Sequence, residues 1–133
     1  MNAEILKSFY EKDRFAKYIG IEVVEFGPGY CKTQLMIEDK HLNAADVVQG
    51  GVVFTLADMA LAVASNSRGQ LALAISSSIT YLKGASGGSI YALATEIADP
   101  TRIGAYDVLV TDDNDEVVAK FQGLVYRKNV KHQ

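Results

Sequence analysis

The chain has 133 residues, 49% of them apolar and 22% charged, with a formal net charge of -3. That length suits one domain rather than two, and that composition supplies a core and argues against disorder. The acidic balance excludes the basic face that nucleic-acid binding needs, and the early charges Glu4, Lys7, Glu11, Lys12, Asp13 and Arg14 exclude the apolar centre of a signal peptide.

Residues Ala3 to Tyr18 pattern as one amphipathic helix, with Ile5, Leu6, Phe9, Phe15 and Ala16 in an irregular apolar stripe and Gly20 as its stop. Ile21 to Phe26 and Tyr30 to Ile37 read as strands of a hairpin turned at Gly27-Pro28-Gly29. Glu38 to Gln49 reads as a loop. Gly50 to about Gly69 is the clearest helix, apolar on every side, so it must be buried on all sides. Four more strand-like runs follow: Leu71 to Leu82, Ser89 to Ala98, Ile103 to Thr111 and Glu116 to Tyr126. Their separators, Lys83 to Gly88, Asp99-Pro100-Thr101 and Asp112 to Asp115, are short and turn-rich, which suits antiparallel neighbours.

This order implies an α+β domain, a long antiparallel sheet wrapped around one central helix, whose outer side a second subunit would cover. The expected layout is an N-terminal helix over 1–19, a core over 20–127 and a basic tail over 128–133. The longest apolar stretch, Val47 to Ala64, carries Gln49, Thr55, Asp58 and two glycines, so it is a poor membrane span. The one cysteine, Cys31, cannot form an internal disulfide, and a reducing, cytoplasmic setting is expected.

Two features in Asn43 to Asp58 point to chemistry. Gly50 and Gly51 stand where the loop becomes the helix, where amides lack internal partners and the helix dipole adds positive charge. Glycine lets another group approach that backbone, so the Gly50 amide is a candidate oxyanion donor, with Gly51 beside the substrate. Asp58 is the lone charge in the helix before Arg68, and a carboxylate there should have a perturbed pKa. Eight residues of helix put Gly50 and Asp58 roughly 12 Å apart along the axis. One chain therefore cannot bring both to one carbonyl, and a shared site between two copies follows if they act together.

Asn43, Gly50-Gly51, Phe54 and Leu56-Ala57-Asp58, with Asn66-Ser67 and Ile79-Thr80-Tyr81-Leu82, resemble the phenylacetate-degradation (PaaI-like) family of hotdog-fold acyl-CoA thioesterases. The likeness runs from about Phe15 to Arg127. It implies a hotdog fold, hydrolysis of an acyl-CoA with no metal or separate cofactor, and a homotetramer of dimers with sites at dimer interfaces. It further implies that Asp58 is general base or nucleophile, that the Gly50 amide polarises the thioester carbonyl, and that Asn43 holds water or the carbonyl. The family usually has histidine before the glycines, where this chain has Gln49. Glutamine donates and accepts hydrogen bonds but carries no proton at neutral pH. Gln49 is thus expected to join Asn43 in the catalytic site and orient water or the thioester, and a non-catalytic acyl-CoA-binding protein is the rival reading.

Other residues read more blandly. Ser76 and Ser77 are candidate substrate contacts, although serines in a strand are more often packing, and no histidine partners them. His41, His132 and Cys31 make no metal set. Asp112 to Glu116 lacks the EF-hand spacing and reads as a hairpin turn. Arg127, Lys128 and Lys131 are candidates for coenzyme A phosphates, against the commoner solvated tail.

Overall fold

The computed structural model describes residues 2–98 and 102–133, so the expected turn at Asp99-Pro100-Thr101 lies outside the described residues. The chain runs α1 (Ala3–Tyr10), α2 (Arg14–Ile19), β1 (Glu22–Gly27), β2 (Tyr30–Met36), a 3-10 turn (Asp39–His41), α3 (Gly50–Asn66), β3 (Gln70–Tyr81), β4 (Ser89–Glu96), β5 (Ile103–Asp112) and β6 (Val117–Lys131). The β1–β2 hairpin closes at Pro28-Gly29, with Gly27 paired to Tyr30 and Gly29 at φ 78°. Proline followed by a positive-φ glycine is the requirement of a type II turn.

The strands make one six-stranded antiparallel sheet in the order β1-β2-β4-β5-β6-β3. Here the short-connection expectation fails: β3 does not neighbour β4 but pairs with β6 at the far edge. A curved sheet brings its far edge back across α3, so the segment after β3 can cross between elements that are distant in strand order. Val48 N–H donates to the Ala85 carbonyl and Ile37 N–H to the Gly88 carbonyl along that crossing.

The sheet wraps α3. Leu56, Ala57, Ala60, Leu61, Val63 and Ala64 are at most 1% exposed. They pack with Leu35, Ile90, Ala92, Ala94, Val108 and Phe121 in one apolar cluster. Burial of each leucine contributes about 1.5–3 kcal/mol. A polar group drawn into that contact is satisfied, since Thr33 Oγ1 donates to the Leu56 carbonyl at 3.0 Å. Burial on all sides does not hold for one chain, however. Gly51 is exposed, and Thr55, Asp58 and Ala62 are half-buried, at positions that share one helical face.

The single N-terminal helix expected from the sequence is two. Leu6, Ala16 and Ile19 are its buried residues. The chain breaks at Glu11–Asp13, where Asp13 caps α2 by accepting from Ala16 N–H at 3.0 Å. Phe15, assigned to the apolar stripe, is 61% exposed.

The basic tail is also corrected. β6 continues to Lys131, and Arg127 is buried rather than solvated, with Nη2 donating to Tyr106 Oη at 2.7 Å. Tyr106 Oη donates in turn to Glu96, which pairs with Arg68. Arg127 therefore serves the fold and is withdrawn as a coenzyme A phosphate contact.

Cys31 is fully buried, and burial, with Glu25 second, pushes its thiol up to about 12. The thiolate is the reactive form. Cys31 is therefore expected to resist a thiol-specific reagent at pH 7–8 in the folded protein and to react promptly in denaturant, as a labelling time course would show.

Candidate active site

The loop before α3 is a braced structure. His41 is 2% exposed; its Nδ1 accepts from Glu38 N–H at 2.9 Å and its Nε2 lies 2.7 Å from the Ile19 carbonyl. These partners require the neutral tautomer with its proton on Nε2. His41 thus ties the loop to the end of α2, and Gln49 N–H donates to the His41 carbonyl. Asn43 Oδ1 accepts from Ala45 N–H at 2.8 Å and Val47 N–H at 3.3 Å, tightening a turn in which Asp46 has φ 61°. The Asn43 side-chain amide nitrogen has no protein partner among the described residues.

Gln49 is the N-cap of α3, its side-chain oxygen accepting from Gly51 N–H. The preceding amide, Gly50 N–H, has no acceptor among the described residues. The Gly50 carbonyl accepts from Tyr81 Oη at 2.9 Å, and a Cβ at Gly50 would stand 3.1 Å from that ring. Glycine is therefore what lets Tyr81 close over this helix end. Asn43, Gly50 and Tyr81 line one open cleft of about 450 Å³ with Val53, Lys83 and Ala85.

Gln49 thus caps α3 with its side-chain oxygen. Gln49→Ala is expected to cost about 1 kcal/mol. The melting temperature should fall by several degrees, which calorimetry would measure.

Asp58 lies elsewhere. It lines a second cleft, about 330 Å³, roofed by Phe9, Tyr10 and Asp13 and walled by Met59, Leu73 and Val125. Burial holds its carboxyl above the usual 3.8, with the charge of Asp13 adding to the effect. Among the described residues the Asp58 carboxylate makes no hydrogen bond or ion pair. A half-buried carboxylate is ordinarily hydrogen-bonded, so its partners lie outside this chain, in solvent, a second copy or a ligand.

One chain thus brings Asn43, Gly50 and Gln49 together and leaves Asp58 in a different cleft. The two serines separate as well. A bulge between Ala74 and Ser76 reverses the alternation of β3. Ser77 falls in phase with Ile79 and Tyr81, opposite the helix-side residues Phe121 and Ala119, whereas Ser76 opposes Leu124 on the outer face. Ser77 keeps its candidacy on geometry; Ser76 faces away from α3. Sequence reasoning missed Tyr81 as a partner of Gly50 and Asp13 as a neighbour of Asp58. The first had no local signal. The second had one, an acid followed three residues later by the amide it caps.

Among the described residues no group of histidine, cysteine, aspartate and glutamate side chains could hold a metal ion. The carboxylate of Asp112 is taken up by Lys83 and by the Asn114 and Glu116 amides of its own turn.

The sequence profile of the thioesterase superfamily matches residues 45–119, more than half of the chain and the whole of α3. The chain belongs to this superfamily. Within it, the protein is a PaaI-like hotdog thioesterase, a thioester hydrolase. It is 40% identical over 121 residues to an Archaeoglobus fulgidus protein provisionally named an esterase, covering 90% of this chain and 79% of that one. It is 31% identical to the Escherichia coli acyl-coenzyme A thioesterase PaaI, covering 90% and 86%. The solved structure of E. coli PaaI superposes with a TM-score of 0.92 at 29% identity, covering 96% of this chain and 94% of that one. A Streptococcus mutans protein solved bound to acetyl CoA superposes with a TM-score of 0.80 at 29% identity, covering 86% and 92%.

Proposed function

We propose that this protein hydrolyses acyl-CoA thioesters to a free acid and coenzyme A, at sites completed by two copies of the chain. The observation that carries the reading is the division of labour along α3. An unpartnered Gly50 amide stands at its start, and an unpartnered, half-buried Asp58 stands two turns on in a separate cleft. Antiparallel α3 helices across a two-fold axis would set the Gly50 end of one against the Asp58 of the other.

Edge strand β3 supports this pairing. It leaves Leu73, Ile75 and Tyr81 about half exposed beside an open backbone edge, which a second copy would cover. The outer sheet face exposes Leu93, Leu109 and Leu124, which suits a second contact between dimers.

In this reading Asp58 activates water or attacks the thioester carbon itself, and the Gly50 N–H takes the developing oxyanion. The Asn43 amide and Ser77 contact water or the thioester, while Gln49 holds the helix start. A thiol of pKa about 8.5 leaves as its thiolate, so the chemistry needs no metal and no dedicated acid. The mainly apolar cleft around Asp58 suits an apolar acyl group, with coenzyme A outside it. No helix of the described residues is long and apolar enough to cross a membrane, and we place the activity in the cytoplasm.

A panel of short, branched, aromatic and long acyl-CoAs, scored by thiol release, tests the reading. Release with apolar acyl groups is expected. Ligand binding with no release across the panel would convert the assignment to an acyl-CoA-binding protein.

A further inference from the structure

The break between α1 and α2 has a chemical result beyond packing. It sets Asp13 at the rim of the cleft that holds Asp58, with the Asp13 carboxyl fixed by its bond to Ala16 N–H. An acid kept there faces the cleft from an element that could have carried a neutral cap. Of the titratable groups that line this cleft, α1 and its connection to α2 contribute Tyr10, Lys12 and Asp13 and α3 contributes Asp58, while β3 and β6 contribute only the apolar Ala72, Leu73, Ala74 and Val125. Two carboxylates and one ammonium therefore share a largely apolar pocket.

We propose that Asp13 is a positioning residue that acts through Asp58, its negative charge making the Asp58 carboxylate a stronger base than burial alone would. This rests on the reading of Asp58 as the reacting carboxylate. A like charge nearby disfavours ionisation, and the direction found for Asp58 agrees, with Asp13 second to burial as the cause. A base whose pKa approaches the working pH takes a proton from water more readily. Lys12, of opposite sign, lines the same cleft but is not among the causes of the Asp58 shift, which are burial and Asp13.

The cap and the charge can be separated. Asparagine caps a helix about as well as aspartate, so Asp13→Asn keeps α2 and removes only the charge. The experiment follows the Asp58 carboxyl carbon by NMR across a pH titration of the full chain, with Asp58→Asn identifying its signal. Asp13→Asn is expected to move the Asp58 midpoint to lower pH with little change in melting temperature. Salt of about 1 M should move the parent's midpoint toward that of the variant, because screening weakens a partly exposed charge pair. Asp13→Ala should show the same shift together with a lower melting temperature.

An Asp58 midpoint that is the same in the parent and Asp13→Asn would overturn the inference, as would a shift insensitive to salt. These outcomes do not depend on turnover. A fully active Asp58→Ala would instead remove the reading of Asp58 as the base and leave the measured coupling standing.

Discussion

Asp58→Ala is expected to lower turnover of an acyl-CoA thioester by about 10²–10⁴-fold, the contribution of a positioned base, while the fold persists. Asp58→Asn should be equally inactive and also more stable than the parent at neutral pH. The sign follows from the raised pKa. The folded chain holds the Asp58 proton more tightly than the unfolded chain does, so the stability this group contributes is complete below 3.8 and is lost as pH rises through the folded value. At pH 7 the ionised, unpartnered carboxylate therefore works against folding, and a neutral amide of the same shape relieves it. Melting curves of the two proteins should differ at pH 7 and converge toward pH 3.8. Full activity in Asp58→Ala, or an Asp58→Asn that is less stable at pH 7, would contradict the role and the environment respectively. Single turnover in isotopically labelled water bears on the two chemistries: label in the Asp58 carboxylate means that Asp58 attacked and that water then opened the mixed anhydride at the Asp58 carbonyl, whereas direct attack by water labels the product alone.

Gly50→Pro should be nearly as damaging, and it tests one hydrogen atom. Gly50 is the first residue of α3, where proline is well tolerated. Gln49 before it is extended at φ -61° and ψ 135°, as a residue preceding proline prefers. The substitution removes the N–H, and its Cβ asks a few tenths of an ångström of the exposed Tyr81 ring. Loss of an oxyanion donor costs about 10²–10³ in kcat. Mixing Gly50→Pro with Asp58→Ala subunits then makes a sharper test. In a heterodimer one site has both native residues and the other neither. Half of randomly paired dimers are mixed, so about a quarter of parental activity should return if sites are shared across a two-fold axis. No recovery from a verified mixed population would place both residues in one chain's site.

Much of this molecule was legible in advance, for identifiable reasons. α3 showed itself because a helix apolar on every side has few alternatives to burial, and Asp58 stood out because a charge there needs a reason. Their separation into different clefts followed from helical rise alone. Strand existence came from composition and turn residues. Strand order did not, because which edge Gln70–Tyr81 joins depends on the curvature of the whole sheet, which no short window records. Arg127 was misplaced for a related reason: charge suggests solvent, and only the folded chain shows the Tyr106 hydroxyl that lets the guanidinium sit inside. The break at Asp13 was missed because its cap signal lay inside a stretch whose charges and apolar residues alternate well enough for one helix.

The pairing of β3 with β6 also bears on how the chain is made. Tyr81 pairs across to Ala119 and Gln70 to Lys131, both in the strand that begins at Val117. A ribosome thus releases α3 and β3 well before the segment that completes them. Until then the nascent chain carries a greasy rod and an unmated ribbon, the kind of species that clumps. Removing the last few residues of β6 should therefore harm yield in the cell more than their few side chains suggest, since the strand that closes over β3 is made some fifty residues after α3.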